Sequence, residues 1–242
     1  MRFSLMLYDV LLFLVFFGVY GTASAVTAAV WLQLSPLMSW PWLGFLLPVM
    51  AVVFMLALIF CVAAFNFILP NMKSGHYTAP ASGMFYLWTL YLTLNRVLFF
   101  DPIQNLMLYS PLLRFLALRA LGAKMAYGSS VSARVALTDV PFIEVGEDCI
   151  IGANSLLTGH YLNKGNLFLG HIKIGNRVNV GGYCRMGPGV TIGDDTWIGA
   201  DCQIAPMVTV GKNCTLEPGS VLPPGTQLAD GETFPPQETE VW

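Results

Sequence analysis

A six-residue period is the feature of this sequence that most restricts its fold. In steps of six from position 174, nine consecutive residues are apolar, and glycine or alanine directly follows the first seven. A small or β-branched residue recurs four positions after each of the first eight. The nine apolar positions are Ile174, Val180, Met186, Ile192, Ile198, Ile204, Val210, Leu216 and Leu222. Self-similarity at so short a fixed period is typical of a solenoid, in which each repeat is one structural unit.

Each hexapeptide is expected to form one short strand and a turn. Three of them close a triangular coil of about 18 residues, and stacked coils pair through parallel strands. The apolar residues fill the inside of the prism, and glycine tolerates the backbone conformation of the turn. The sequence therefore predicts a left-handed parallel β-helix over residues 126–223.

The period breaks once. Upstream of the regular part, Val145, Ile151 and Leu157 obey the same rule in an earlier frame, and the frame shifts by five residues between Leu157 and Phe168. A loop of residues 158–167 is therefore expected to leave the helix. Irregular excursions from a rigid scaffold commonly carry function.

The N-terminal half has a different composition. The chain is 55% hydrophobic and only 11% charged, and Asp9 is the only charged residue between positions 3 and 71. Apolar runs at about 10–34 and 42–69 exceed the roughly 20 residues needed to span a bilayer. Further membrane or interfacial helices are predicted at about 84–100 and 110–121, the last with Ser110 as N-cap and Pro111 at its first position. The predicted organisation is a membrane domain (1–125), the β-helix (126–223) and a C-terminal tail (224–242).

Charge separates the same two halves. Residues 1–125 contain six Lys/Arg and two Asp/Glu, whereas residues 126–242 contain six Lys/Arg and twelve Asp/Glu. The connector between the two apolar runs has no positive charge, which places both ends of the chain, and the β-helix, in the cytoplasm. The acidic half disfavours nucleic acid as a partner. A cleaved signal peptide ending at Ala25 is the alternative, but the apolar run continues past that residue.

Histidine chemistry is the strongest functional indication. Transfer of an acyl group to an amine or hydroxyl needs a base near neutral pH, and histidine supplies one. His160 lies in the excursion, whereas His171 lies at the restart of the regular coils and His76 in a polar linker. Asp139 precedes His160 by slightly more than one coil, so the two are expected on adjacent layers, with Asp139 orienting the imidazole. The structural alternatives are a solvated loop histidine and a turn aspartate before Pro141. No metal site is predicted.

Three segments together resemble a known family. They are LLRFLALRALGAKM (112–125), LTDVPFIEVGEDCIIGANSLLTGHYL (137–162) and IKIGNRVNVGGYCRMGPGVTIGDD (172–195). Following two apolar spans, they resemble the membrane-embedded acyltransferase domains of ε-poly-lysine synthetases and the stand-alone polymyxin acetyltransferases, over nearly the whole chain. The motif histidine falls on His160 and the motif aspartate on Asp139. After this histidine the chain departs from the family motif, which leaves the acceptor open.

The resemblance implies a substrate class and partners. The donor is expected to be acetyl-CoA or another acyl-CoA, and the acceptor an amine of a cationic, membrane-active peptide, with Glu144, Asp148 and Tyr161 as its contacts. The geometry of such enzymes suggests coenzyme A contacts at Gly181, Gly199, Ala200, Arg185 and Lys212. A homo-oligomer is implied, a trimer with a dimer as the alternative. Two other functions stay open: O-acylation of a lipid or sugar hydroxyl, and a non-enzymatic scaffold on a membrane anchor.

Overall fold

Four helices of ten or more residues precede the repeats in the part of the chain that the computed structural model describes, which is residues 2–98, 107 and 109–235. They are α1 (Arg2–Leu34), α2 (Leu43–Ile68), α3 (Gly83–Leu98) and α4 (Pro111–Ala120). All four lie where the sequence predicted helices; residues 99–100 of the third predicted range lie outside the described residues. A short strand that the sequence did not indicate, β1 (Gly75–Thr78), lies between α2 and α3.

Two of these helices are long and apolar enough to cross a membrane. The candidate spans are Asp9–Leu37 and Leu43–Ile68. They pack against each other, yet large apolar side chains on both, such as Phe17, Phe60 and Phe67, are exposed. The rest of the described chain thus leaves much of their apolar surface uncovered, as expected of segments that meet lipid.

Helix α4 closes one end of the repeat stack. As predicted, Ser110 caps it: its Oγ accepts a hydrogen bond from the Leu113 backbone N–H at 3.4 Å. The α4 residue Leu118 is buried in the same apolar cluster as Val131 of the first coil. Arg114 is buried and donates to the Ser129 carbonyl at 2.9 Å. The helix therefore covers the exposed end of the core, as terminal caps of solenoids do.

The repeats form three parallel sheets, here called the first, second and third face. The first face comprises β2 (Lys124–Met125), β5 (Ile143–Val145), β10 (Ile172–Ile174), β13 (Thr191–Ile192), β16 (Thr209–Val210) and β19 (Gln227–Leu228). The second comprises β3 (Ser130–Val131), β6 (Ile150–Ile151), β11 (Asn179–Val180), β14 (Trp197–Ile198), β17 (Thr215–Leu216) and β20 (Thr233–Phe234). The third comprises β4 (Ala136–Thr138), β7 (Leu156–Thr158), β12 (Arg185–Met186), β15 (Gln203–Ile204) and β18 (Val221–Leu222).

This arrangement confirms the predicted repeat fold of helices followed by a parallel β-helix. All nine apolar residues of the period are buried, and so are the eight residues four positions after them. Each layer pairs in register with the next, as Val180 does with Ile198 and Ile198 with Leu216. The coils also continue past residue 223, because β19 and β20 occupy part of the range expected as a tail. Residues 236–242 of that range lie outside the described residues.

The excursion is a β-hairpin and not an irregular loop. Strand β8 (His160–Asn163) pairs antiparallel with β9 (Asn166–Leu169), and β9 pairs with β1 from the N-terminal half. Leu167 and Leu169 are buried in an apolar cluster with Trp88 of α3. The N-terminal half therefore extends the hairpin into a three-stranded sheet and packs a helix on one side of it.

Candidate active site

Asp139 lies at the turn that joins the third face to the first in the opening coil. It follows β4, and its backbone adopts the left-handed conformation, with φ of 55°, which aspartate tolerates better than most residues. Its side chain is completely buried. Thr138 donates its hydroxyl to Oδ2 at 3.0 Å. A buried carboxylate of this kind requires hydrogen-bond donors to offset its lost hydration.

His160 supplies one such donor from the layer above. Its Nδ1 lies 2.6 Å from Asp139 Oδ2, and its side chain is 28% exposed. The two residues meet because β4 and β7 pair in register, Thr138 opposite Thr158, and each residue lies within two positions of that pair. Gly159 permits the approach, since a Cβ there would lie 3.0 Å from that of Asp139. With Nδ1–H donated to the carboxylate, the Nε2 lone pair is left to accept a proton.

A third residue completes the arrangement from outside the β-helix. The Trp88 indole Nε1–H donates to Asp139 Oδ1 at 2.6 Å. Its ring also meets the His160 imidazole edge to face, with 4.9 Å between centroids. The sequence did not indicate Trp88. The sequence does contain one signal: Trp88 and Asn95 are seven residues apart and therefore share a face of the predicted third helix. In the structure this face meets the first coil, since Asn95 Nδ2 donates to the Leu137 carbonyl at 2.9 Å.

His171 and Glu144 form a separate pair on the first face. His171 Nδ1 lies 3.2 Å from Glu144 Oε1, and Lys124 Nζ donates to the same oxygen at 3.1 Å. Burial lowers the pKa of His171 by more than the charge of Glu144 raises it. Burial would raise the pKa of Glu144, but the hydrogen bond from Lys124 and the charges of Lys124, His171 and Lys173 together lower it. Glu144 is thus already engaged within the chain.

The residues expected to contact coenzyme A do not form one cluster. Gly181, Gly199 and Ala200 stack in the turns between the second and third faces; a Cβ on Gly181 would lie 2.5 Å from the Ala200 nitrogen. Arg185 lies next to them on β12. Lys212 lies between the first and second faces, 3.2 Å from Asp194 Oδ2. The structure therefore groups four of the five and places Lys212 on a different edge.

The expected acceptor contacts are also dispersed. Asp148 lies on the same edge as Lys212, in the turn between β5 and β6, and is exposed. Tyr161 directly follows His160 in β8 and therefore points to the opposite side of the hairpin. There it lines a cleft of about 420 Å³ between the hairpin and the later coils. The lining residues are His76, Tyr161, Asn163, Asn166, Phe168, Pro206, Met207 and Pro224.

Sequence models of known families match two parts of the repeat half. Residues 189–224 match the model described as bacterial transferase hexapeptide (six repeats), and residues 143–159 match the hexapeptide repeat of succinyl-transferase. These two matches identify residues 143–159 and 189–224 as hexapeptide repeats. The prediction of an acyltransferase agrees with these matches. None of the curated proteins compared with the chain matches it, and the resemblance to peptide-acylating membrane domains stays a prediction.

Several solved structures are similar to parts of the chain. A maltose O-acetyltransferase from Clostridium difficile 630 is 20% identical, over 65% of this chain and 89% of that one, with a TM-score of 0.46. The perosamine N-acetyltransferase of Caulobacter crescentus, solved as a histidine variant with coenzyme A and GDP-perosamine, is 19% identical over 50% and 60%, with a TM-score of 0.21. The acetyltransferase domain of PglB from Neisseria gonorrhoeae FA1090, solved with acetyl coenzyme A, is 17% identical over 50% and 61%, with a TM-score of 0.22.

Proposed function

We propose that this protein is an acyl-CoA-dependent acyltransferase, with acetyl-CoA as the first donor to test. The observation that carries the proposal is the His160–Asp139 pair at the single interruption of a transferase-type hexapeptide repeat. A partly exposed imidazole held at Nδ1 by a buried carboxylate is the arrangement required of a general base. A non-enzymatic scaffold needs no interruption of its repeat, and we therefore favour an enzyme.

The proposed reaction follows from that geometry. Nε2 of His160 takes the proton of the acceptor amine or hydroxyl as that group attacks the thioester carbonyl. Asp139 stabilises the imidazolium that forms and fixes its tautomer. When the tetrahedral intermediate collapses, the carbon–sulfur bond breaks, and the imidazolium returns the proton to the departing thiolate. The acylated acceptor and free coenzyme A are the products.

We assign the hairpin cleft to the uncharged part of a substrate. None of its lining residues in the described chain is Asp, Glu, Lys or Arg. Because the cleft lies on the side of the hairpin opposite His160, it suits a part of the substrate that is remote from the reacting group. The contacts expected at Gly181, Gly199, Ala200 and Arg185 stay a prediction for coenzyme A.

For the acceptor we propose the amine of a cationic amphipathic peptide bound at the membrane surface. The net acidity of residues 126–242 supports it. The neutral cleft and the two apolar helices favour the second candidate, a lipid or sugar hydroxyl. Ionic strength separates the two: the KM for a cationic acceptor should rise with salt, because charge attraction is screened over about 8 Å at physiological strength. The KM for a neutral acceptor should not change.

The remaining proposals concern location and assembly. We propose that the two apolar helices anchor the protein in the cytoplasmic membrane, with the β-helix on the cytoplasmic side, where acyl-CoA is present. A reporter fused after Trp242 should read as cytoplasmic. We also propose a homo-oligomer, a trimer first, for which a detergent-corrected mass of a single chain in active protein would be the contrary result.

Intact-mass spectrometry of acceptors tests the proposed activity. Purified full-length protein is incubated with acetyl-CoA and a panel containing polymyxin, short lysine peptides, monosaccharides and a lipid with a free hydroxyl. Acetylation is expected as a mass increase on one class, accompanied by release of free thiol. No acetylation and no thiol release above the His160→Ala control would contradict the proposal.

A further inference from the structure

The buried Asp139 carboxylate has a different partner on each oxygen. Oδ2 faces His160 Nδ1 at 2.6 Å, and Oδ1 accepts from Trp88 Nε1 at 2.6 Å. A carboxylate held by donors on both oxygens has its plane fixed, whereas one held on a single oxygen can rotate about the Cβ–Cγ bond. The orientation that His160 receives from Asp139 is therefore set in part by Trp88.

Trp88 also contacts the imidazole directly. The two rings meet edge to face, with an interplanar angle of 61° and 4.9 Å between centroids. Trp88 is buried against Leu167 and Leu169 of β9, so its own position is fixed by packing. Trp88 thus donates a hydrogen bond to the Asp139 carboxylate and packs against the His160 ring.

Helix α3 is attached to the same turn at a second point. Asn95 Nδ2 donates to the carbonyl of Leu137, two residues before Asp139, at 2.9 Å. The helix is also joined to α1, since the Tyr20 hydroxyl donates to the Val97 carbonyl at 3.0 Å. The helical half of the chain therefore reaches the His160–Asp139 pair through α3, which is hydrogen-bonded to β4 and to the turn after it.

We propose that Trp88 is a positioning residue of the active site, acting through Asp139 on His160. The β-helix alone would hold an incomplete site, because the donor to Asp139 Oδ1 in the described chain comes from α3. This inference rests on the proposed function for its consequence in catalysis. The structural part, that the Trp88 N–H orients the His160–Asp139 pair, stands independently of any activity.

The first experiment is a double-mutant cycle of Trp88→Phe and Asp139→Ala in the full-length protein. In the wild-type background, Trp88→Phe should lower kcat by about tenfold, with little change in the KM for acetyl-CoA, because a hydrogen bond to a charged group is lost. In the Asp139→Ala background it should lower kcat by less than about twofold. Equal losses in both backgrounds would show a merely structural role and overturn the proposal.

Two further variants separate the loss of the Trp88 hydrogen bond from a general loss of folding. Replacement of Trp88 by 3-benzothienyl-alanine keeps the double ring and exchanges only the N–H for sulfur, and should reproduce the loss in kcat. Phe85→Leu is the matched control, because the Phe85 ring packs 5.6 Å from that of Trp88 and makes no hydrogen bond to Asp139 in the described chain. It should retain kcat within about twofold; an equal loss there would contradict the proposal.

Proton NMR of ¹⁵N-histidine-labelled protein provides a readout that needs no activity. The chain has three histidines, so His160→Ala identifies the Nδ1–H signal of His160. In the Trp88→Phe and benzothienyl proteins this signal should move upfield or be lost to exchange with water, and in Phe85→Leu it should stay. An unchanged signal in the Trp88 variants overturns the inference. A changed signal in a protein that acylates nothing would uphold it while the proposed function fails.

Discussion

The regular coils and the turn around Asp139 differ in what is buried and in which residues support it. In the coils from Ile172 onward, buried apolar residues repeat every six positions and each layer supports the next. At Asp139 a 3₁₀ turn (Val140–Phe142) precedes the next strand, a carboxylate is buried, and part of its support comes from α3, about 50 residues earlier in the chain. The period thus specifies the scaffold, whereas the proposed active site lies where the period is interrupted and the non-repeating helix α3 packs on it.

The largest expected effect comes from changing Asp139 to Asn. The amide can turn its N–H₂ toward His160 Nδ1, which forces the proton onto Nε2 and removes the base, so kcat should fall by about 10³-fold. Asp201→Asn is the matched control, since Asp201 has the same left-handed conformation (φ 58°) on a regular coil and is exposed. It should keep wild-type kcat. Similar losses in both variants would erase the distinction between the two regions.

A substitution in the core of the regular coils should lower stability and leave kcat unchanged. Ile198 is fully buried between Val180 and Leu216 of the neighbouring layers. Ile198→Ala should lower the free energy of unfolding by about 2–4 kcal/mol through lost burial and a residual cavity. Chemical denaturation measures the loss, and kcat per folded molecule should be unchanged at low temperature. A selective loss of kcat without destabilisation would place chemistry in the regular coils.

Substitution of Gly181 tests whether this residue only packs between layers or also contacts coenzyme A. A Cβ there would lie 2.5 Å from the backbone nitrogen of Ala200, so the adjacent layers must separate. Gly181→Ala should therefore destabilise the protein by about 1–3 kcal/mol. If Gly181 also contacts coenzyme A, the KM for acetyl-CoA should rise as well; destabilisation with an unchanged KM would limit Gly181 to packing.

The smallest effect concerns His171 and pH. Burial lowers the pKa of His171 from its ordinary value of 6.5. As the pH falls below about 6.5, the unfolded chain binds a proton that the folded protein does not, and stability decreases until the folded pKa is reached. His171→Gln should show a shallower decrease between about pH 7 and pH 5.5 in urea denaturation. An unchanged slope would mean that other groups cause the dependence.

Much of this fold could be predicted because its determinants are local and repeated. The inward positions from Ile174 to Leu222 follow directly from the six-residue period. The proximity of Asp139 and His160 could also be expected, since they are separated by about one coil. The pairing of β1 with β9 and the contact of Trp88 with Asp139 could not be predicted, because both join segments that are far apart in the sequence. Strands β19 and β20 were missed because Glu217 and Pro223 interrupt the glycine pattern that marks the earlier turns.

In the reaction that we propose, His160 is the base. The most direct measurement compares turnover of acetyl-CoA by His160→Ala and His171→Ala protein, with thermal unfolding recorded for both. We expect a loss of about two to four orders of magnitude for His160→Ala in protein that still unfolds cooperatively, and near-normal turnover for His171→Ala. Turnover by His160→Ala at the wild-type rate, or a comparable loss in His171→Ala alone, would contradict this assignment.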